Sequence, residues 1–181
     1  FIKVIYAIFV LIFMRFFIIK LNILFFIIIT PAKSQCNGYE FLCFKKYDEV
    51  AYLTTHNAYS SFEAGFYLPN QNFNITSQLN DGVRAFMLDV YSENDQLVLY
   101  HGVSQLGSSL FSDVLNEFKT FIDDNPNEVI TLILEDYSSI IELSDALFTS
   151  GIIEDLYELD EVIGWPTLQE MIDLDKRIVL F

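Results

Sequence analysis

The chain reads as an α/β fold built on a parallel sheet. Short apolar runs alternate with amphipathic stretches along its length, which is the pattern of successive βα units. Two of the runs, within "EVITLILED" and "KRIVLF", are continuously apolar and β-branched, as strands covered on both faces require. No internal repeat or low-complexity linker interrupts the alternation.

The first 34 residues stand apart, because Ile, Phe, Leu and Val dominate them and inflate the overall hydrophobic fraction of 52%. Their apolar runs, Val4–Met14 and Leu21–Ala32, are separated by Arg15 and Lys20, and neither reaches the roughly 20 residues that span a bilayer. Leu21–Ile29 fits the apolar core of a secretory signal, flanked by Lys3, Arg15 and Lys20. Ala32 and Ser34 supply small residues for a cleavage after Ser34. The expectation is a signal peptide over residues 1–34, or a signal anchor if one longer, tilted helix lets Arg15 and Lys20 snorkel. Residues 35–181 are then secreted or lie in the endomembrane lumen, tethered to a membrane only if the segment is kept.

Without that segment the chain keeps six basic against 25 acidic residues, a net charge of −19. Phosphate contacts need a basic surface, so nucleic acid is not an expected partner. The same charge opposes adsorption to anionic membranes and favours neutral lipids, soluble substrates or the help of a bound cation. The only cysteines, Cys36 and Cys43 in "CNGYEFLC", read as one small disulfide loop pinning the new N-terminus of an exported chain. A metal pair is the weaker reading, since no further Cys or nearby His completes a tetrahedral site. Asn74-Ile75-Thr76 is a glycosylation triplet, expected on a lumenal or extracellular surface loop.

Taken in order, strands are expected at Val50–Thr54, Val83–Val90, Leu97–Tyr100, Val129–Leu134 and Arg177–Phe181. Leu110, Phe111, Val114, Leu115, Phe118, Phe121 and Ile122 recur at helical spacing, with Ser108 or Ser109 as a cap and Asn125-Pro126 as the stop. Thr167 and Glu170 have capping-box spacing after Pro166, so another helix leads into the last strand. Five strands joined by helices suit an open doubly wound sheet or most of a (β/α)₈ barrel. No Gly-rich phosphate loop supports a nucleotide-binding crossover. A barrel takes about 250 residues, so on that reading the 181-residue chain is C-terminally truncated after about its first five βα units.

Polar residues collect at the strand ends. His56 and Asn57 follow the first strand, Asp89 closes the second, His101 follows the third, and Glu135 and Asp136 follow the fourth. That end is where barrel active sites are built. Met87 and Asp89 share a face of their strand; Arg84 points the other way near the amino end, where a structural ion pair is expected. Two histidines can divide acid and base work near neutral pH. Asn57, Asp89 and Glu135 offer hard oxygen ligands for Ca²⁺ or Mg²⁺, which would neutralise charge on a phosphoryl oxygen. Phosphodiester cleavage is the reaction class that needs these parts.

The segments "CNGYEFLCFKKYDEVAYLTTHNAYS", "QLNDGVRAFMLDVY", "LYHG", "NPNEVITLILEDY" and "GWPTLQEMIDLDKRIVLF" resemble, in order and spacing, the X-domain of phosphatidylinositol-specific phospholipase C. The likeness covers residues 36–181 and is strongest to the small secreted phospholipase C-like phosphodiesterases of plants, fungi and protists. It implies an irregular (β/α)₈ barrel over residues 35–181 and cleavage between phosphate and glycerol, with internal attack by an inositol hydroxyl giving a cyclic phosphate and diacylglycerol. By the same resemblance His56 matches the family's general base and His101 its general acid, while Asn57, Asp89 and Glu135 match the calcium ligands of its metal-dependent branch. Met87 stands where that branch carries a fourth ligand, a Glu. The metal-free bacterial branch places an Arg where this chain has Asp89. The residues that read the inositol ring come from later strands in this family.

The expected substrate is a phospholipid, a lysophospholipid or a glycerophosphodiester, met in transient membrane contact by a protein monomeric at full length. Two alternatives stand beside this reading. A glycerophosphodiesterase or sphingomyelinase-D-like barrel also uses two histidines, but carries a Glu-x-Asp pair where this chain has Met87-x-Asp89. A catalytically weak barrel would instead bind a lipid headgroup or a partner.

Overall fold

The computed structural model describes residues 35–181; the signal peptide or anchor expected over residues 1–34 lies outside them. One sheet contains β1 (Thr54–Thr55), β2 (Ala85–Glu93), β3 (Gln96–Leu99), β4 (Ser109–Leu110), β5 (Ile130–Tyr137) and β6 (Ile178–Leu180). Its order is β4-β3-β2-β5-β6, with β1 also against β2. The helices are α1 (Ile75–Asn80), α2 (Phe111–Asp124), α3 (Ile140–Thr149) and α4 (Leu168–Asp173). Among the described residues no helix is long and apolar enough to cross a membrane.

β1, β2, β5 and β6 run parallel, as the apolar runs imply. The third run corrects that reading, because β3 is antiparallel to β2. Asn94 and Asp95 both adopt left-handed backbone (φ 51° and 61°), making the two-residue turn whose twist suits a hairpin. β5 covers one edge of β2, while β1 and β3 share the other, β1 at its amino end and β3 at its carboxyl end. β1 is far shorter than the expected Val50–Thr54: Tyr47–Glu49 coil into a 3₁₀ turn, and pairing starts only at Thr54 opposite Ala85.

Side-chain parity divides the sheet. Phe86, Leu88 and Val90 of β2, Ile130 and Leu132 of β5, and Ile178 of β6 are buried in one core with Phe111, Val114, Leu115, Phe118 and Ile122 of α2. Each ring or aliphatic chain so buried contributes about 1.5–3 kcal/mol. α2 ends at Asp124 with Asn125 as its C-cap, at the expected stop, but its N-cap is Leu110 without a side-chain bond, because Ser109 is taken into β4 opposite Leu99. The Thr167–Glu170 capping box forms at the start of α4. α3 has a capping box of its own, Ser139 with Glu142, yet Ile140, Ile141 and Phe148 face solvent, so its apolar residues follow no single stripe.

The opposite face of the sheet carries Ala85, Met87, Asp89 and Tyr91 in register with Thr131, Ile133, Glu135 and Tyr137. It therefore runs from an apolar base, through an acid pair, to an aromatic rim. The amino end is closed by residues 36–52. Cys36 and Cys43 form the expected disulfide (S–S 2.11 Å, Cα–Cα 5.0 Å). The Asn37 side chain takes the place of a neighbouring strand: its Nδ2 donates to Val129 O (3.1 Å), and its Oδ1 accepts from Val129 N (2.7 Å). The Tyr47 hydroxyl meets Thr131 Oγ1 at 2.6 Å, and its ring packs 4.4 Å from Trp165.

Candidate active site

His56 and His101 arrive from different segments. After β1 the chain turns sharply at Asn57, whose left-handed backbone (φ 48°) suits Asn better than most residues. Ala58 N donates to Met87 O (3.0 Å) and Gln71 Nε2 to His56 O (2.8 Å), which fixes the turn against β2. His101 is carried back by the β2–β3 hairpin, and Gly102 (φ 79°) then turns the chain away. The imidazoles lie edge to face with centroids 6.5 Å apart, and both are exposed. A hairpin, rather than the end of a parallel strand, thus brings the second histidine to the first.

Asp89 and Glu135 are direct neighbours across the β2–β5 register. Both sit inside their strands, which continue to Glu93 and Tyr137, beyond the ends expected at Val90 and Leu134. Asp89 is 8% exposed and Asn57 fully buried. The Asn57 carboxamide stands 3.1 and 3.2 Å from the two Asp89 oxygens; with Nδ2 turned toward them it donates to both. In the opposite setting Nδ2 is 3.5 Å from Asn70 Oδ1 and the amide oxygen faces the carboxylate, so the setting that donates to Asp89 is the satisfied one. Burial raises the Asp89 carboxyl above its ordinary value; the Tyr59 hydroxyl opposes this, Glu135 adds to it, and His101 and His56 oppose it.

Among the described residues no three His, Cys, Asp or Glu side chains gather as a metal-binding group. The oxygen set reaches three donors only with Asn57, and Met87, level with Ile133, brings a thioether that a hard cation does not favour. Three oxygen donors on one face fit Ca²⁺ or Mg²⁺ in part, one carboxylate short of the four-ligand pattern. Asp136 is not part of the site: it points from the other face and accepts from Ser138 N (2.8 Å) and Oγ (2.6 Å). Arg84 forms the expected structural ion pair, its Nε 2.6 Å from Glu128 Oε2, and lies over the Phe121 ring. Asn74 caps α1, accepting from Ser77 N (2.8 Å), and Thr76 Oγ1 donates to Glu117 (2.5 Å), so the triplet opens a helix instead of lying in a loop.

Sequence reasoning missed the aromatic parts. Tyr91 is stacked between Tyr100 (4.0 Å) and Tyr137 (4.7 Å), forming a three-ring wall beside the acids. Tyr137 donates to Glu135, and mainly through that bond its hydroxyl is pushed up to about 12. The signal was present: Tyr91 and Tyr137 each stand two residues after an acid, on the same strand face. Tyr59, buried against Asp89, is raised chiefly by burial and next by that carboxylate's charge.

Known proteins resemble this chain in sequence and fold. The PI-PLC X family model matches residues 42–181. A PI-PLC X domain-containing protein of Arabidopsis thaliana is 32% identical over 170 residues, covering 84% of this chain and 38% of its own length. PI-PLC X domain-containing protein 1 of Arthroderma benhamiae is 30% identical over 160 residues, 84% of this chain and 52% of its own. A third relative, 28% identical over 162 residues, 83% of this chain and 36% of its own, is an uncharacterized secreted protein of the same fungus. The chain thus spans about half or less of the length of these relatives. Among solved structures, L. pealei PLC21 superposes with a TM-score of 0.59 at 18% identity, over 83% of this chain and 20% of that one. The phosphatidylinositol-specific phospholipase C of S. aureus gives 0.57 at 17%, over 84% and 50%. The sheet, its helices and its hairpin are part of the irregular barrel of those enzymes, and the chain belongs to the PI-PLC X domain family.

Proposed function

We propose that the chain is the catalytic portion of a secreted phosphodiesterase of the phospholipase C type, which cleaves a phospholipid or glycerophosphodiester with His56 and His101 as its two proton carriers. One observation carries this reading: the chain has two histidines in all, on separate loops, and the fold sets them 6.5 Å apart beside a buried acid. A phosphate group fits between donors so spaced, each ring about 3 Å from a different oxygen. His56 takes the proton from the attacking hydroxyl, and His101 delivers one to the leaving glycerol oxygen. Asp89, the buried acid at the base of the site, lies within electrostatic reach of both rings.

Asn57, Asp89 and Glu135 would hold a divalent cation. Bound there, Ca²⁺ or Mg²⁺ supplies charge neutralisation at the phosphoryl oxygens and lowers the pKa of a hydroxyl bound to it. The rim supports a lipid substrate. Phe62, Tyr67, Leu68 and Val103 are exposed on the two histidine loops, and residues 58–73 and 101–107 contain one acid, Glu63, and no Lys or Arg. Glu63 is occupied by Asn74 N and Ser77 Oγ. An aromatic edge with a single acid, on an otherwise strongly acidic chain, suits transient contact with neutral lipid. The disulfide and the secreted fungal relative support an extracellular or lumenal site of action.

Met87 favours a second reading, a headgroup-binding barrel with weak catalysis, because it leaves the cation site one carboxylate short. Assays of phosphatidylinositol and of glycerophosphodiesters, each with Ca²⁺ and with chelator, separate the two. Cleavage that Ca²⁺ stimulates is expected; binding of lipid without turnover would overturn the enzymatic reading, and full activity in chelator would remove the cation.

A further inference from the structure

We propose that Phe66 and Gly107 form a joint between the two histidine loops and act as positioning residues that set the separation of His56 and His101. The proposal rests on the two-histidine reading above. Among the described residues neither imidazole makes a side-chain hydrogen bond, so their spacing is decided by the loops that carry them.

On one side, Phe66 is 6% exposed and its ring packs edge-on against Tyr59 at 5.8 Å. Tyr59 is itself buried three residues after His56, and Phe66 N donates to Ser61 O (3.1 Å), which ties the ring to the start of the same loop. On the other side, a series of turn bonds runs from His101 to Gly107: Val103 N to His101 O (3.0 Å), Leu106 N to Val103 O (3.1 Å) and Gly107 N to Ser104 O (3.1 Å). The loops meet where Tyr67 N donates to Leu106 O (2.8 Å) and where Phe66 fills the space beside Gly107. A Cβ on Gly107 would stand 2.7 Å from Phe66 Cδ1 and Cγ and 3.0 Å from its Cα. Those atoms are a ring root and backbone, so they cannot swing aside as a flexible chain end would. Gly107 also holds φ 135°, a conformation L-residues rarely adopt. Any side chain there pushes the loops apart, and the two imidazoles separate with them.

The test compares Gly107→Ala, Phe66→Ala and Gln105→Ala in the full chain. Gln105 is exposed on the same turn, and the atoms nearest a Cβ on Gly107 all belong to Phe66. Three readouts are needed: thermal melting, the nuclear Overhauser contact between the His56 and His101 rings, and kcat and KM on the soluble probe p-nitrophenyl inositol phosphate. Gly107→Ala is expected to remain folded, lose the inter-ring contact and lower kcat on the order of 10²-fold with KM little changed, as misplacement by an ångström does. Phe66→Ala, which empties the joint without a clash, weakens the contact and lowers kcat about tenfold; Gln105→Ala changes neither. If Gly107→Ala does not fold, Phe66→Ala carries the test. An inter-ring contact that persists unchanged in the folded joint variants would overturn the proposal. An inactive wild type would instead count against the catalytic reading, while loss of the contact would still support the joint.

Discussion

Removing the disulfide should destabilise the fold without touching the chemistry. Cys36 and Cys43 close a loop with a sequence separation of 7, and the loop-entropy relation gives about 2.5 kcal/mol for a ring of that size. The loop also anchors Asn37 against Val129 and lies in the cluster with Tyr47, Leu168, Met171 and Val179 that closes the amino end of the sheet. For a folded unit of about 150 residues, that free energy lowers the melting temperature by about 8 °C. The assay is calorimetric melting of wild type and of the Cys36→Ala/Cys43→Ala double variant, with kcat measured at 25 °C. Because the loop sits at the end opposite the histidines, kcat should be retained. A melting shift below about 2 °C, or a loss of kcat in the folded double variant, would refute the reasoning.

Two further predictions concern the acid pair. Burial raises the folded-state pKa of Asp89 above its unfolded value, so the native state binds more protons between the two, and this group's contribution to stability falls as pH rises through the raised pKa. In chelator, Asp89→Asn should therefore gain stability over wild type as pH climbs from 4 to 7 in urea unfolding; a difference that does not vary with pH would contradict this. Met87→Glu places a fourth oxygen donor on the face of Asp89 and should tighten Ca²⁺ binding about tenfold or more in calorimetric titration, whereas unchanged affinity would count against a cation at Asn57, Asp89 and Glu135.

Much of this was legible in the residues, for physical reasons that also explain the gaps. The strands of "EVITLILED" and "KRIVLF" and the stripe of α2 announced themselves because burial on two faces or along one stripe leaves a period in the sequence. His56, Asn57, Asp89, His101 and Glu135 could be placed near one another because chemistry-bearing residues followed successive strands. The direction of β3 was not legible in the same way: Asn94 and Asp95 permit a tight left-handed turn without the Gly that usually marks one. α3 escaped because its exposed Ile140, Ile141 and Phe148 blur the helical stripe, although Ser139 and Glu142 had capping spacing. The tyrosine wall needed the β2–β5 register, which no single segment contains.

Product analysis by phosphorus NMR tests the central claim most directly. Phosphatidylinositol incubated with the wild-type chain should yield an inositol cyclic phosphate, and His56→Ala or His101→Ala should each slow its formation 10²- to 10⁴-fold, the range for removing one general acid or base. Cyclic product formed at the wild-type rate by either variant would contradict the account.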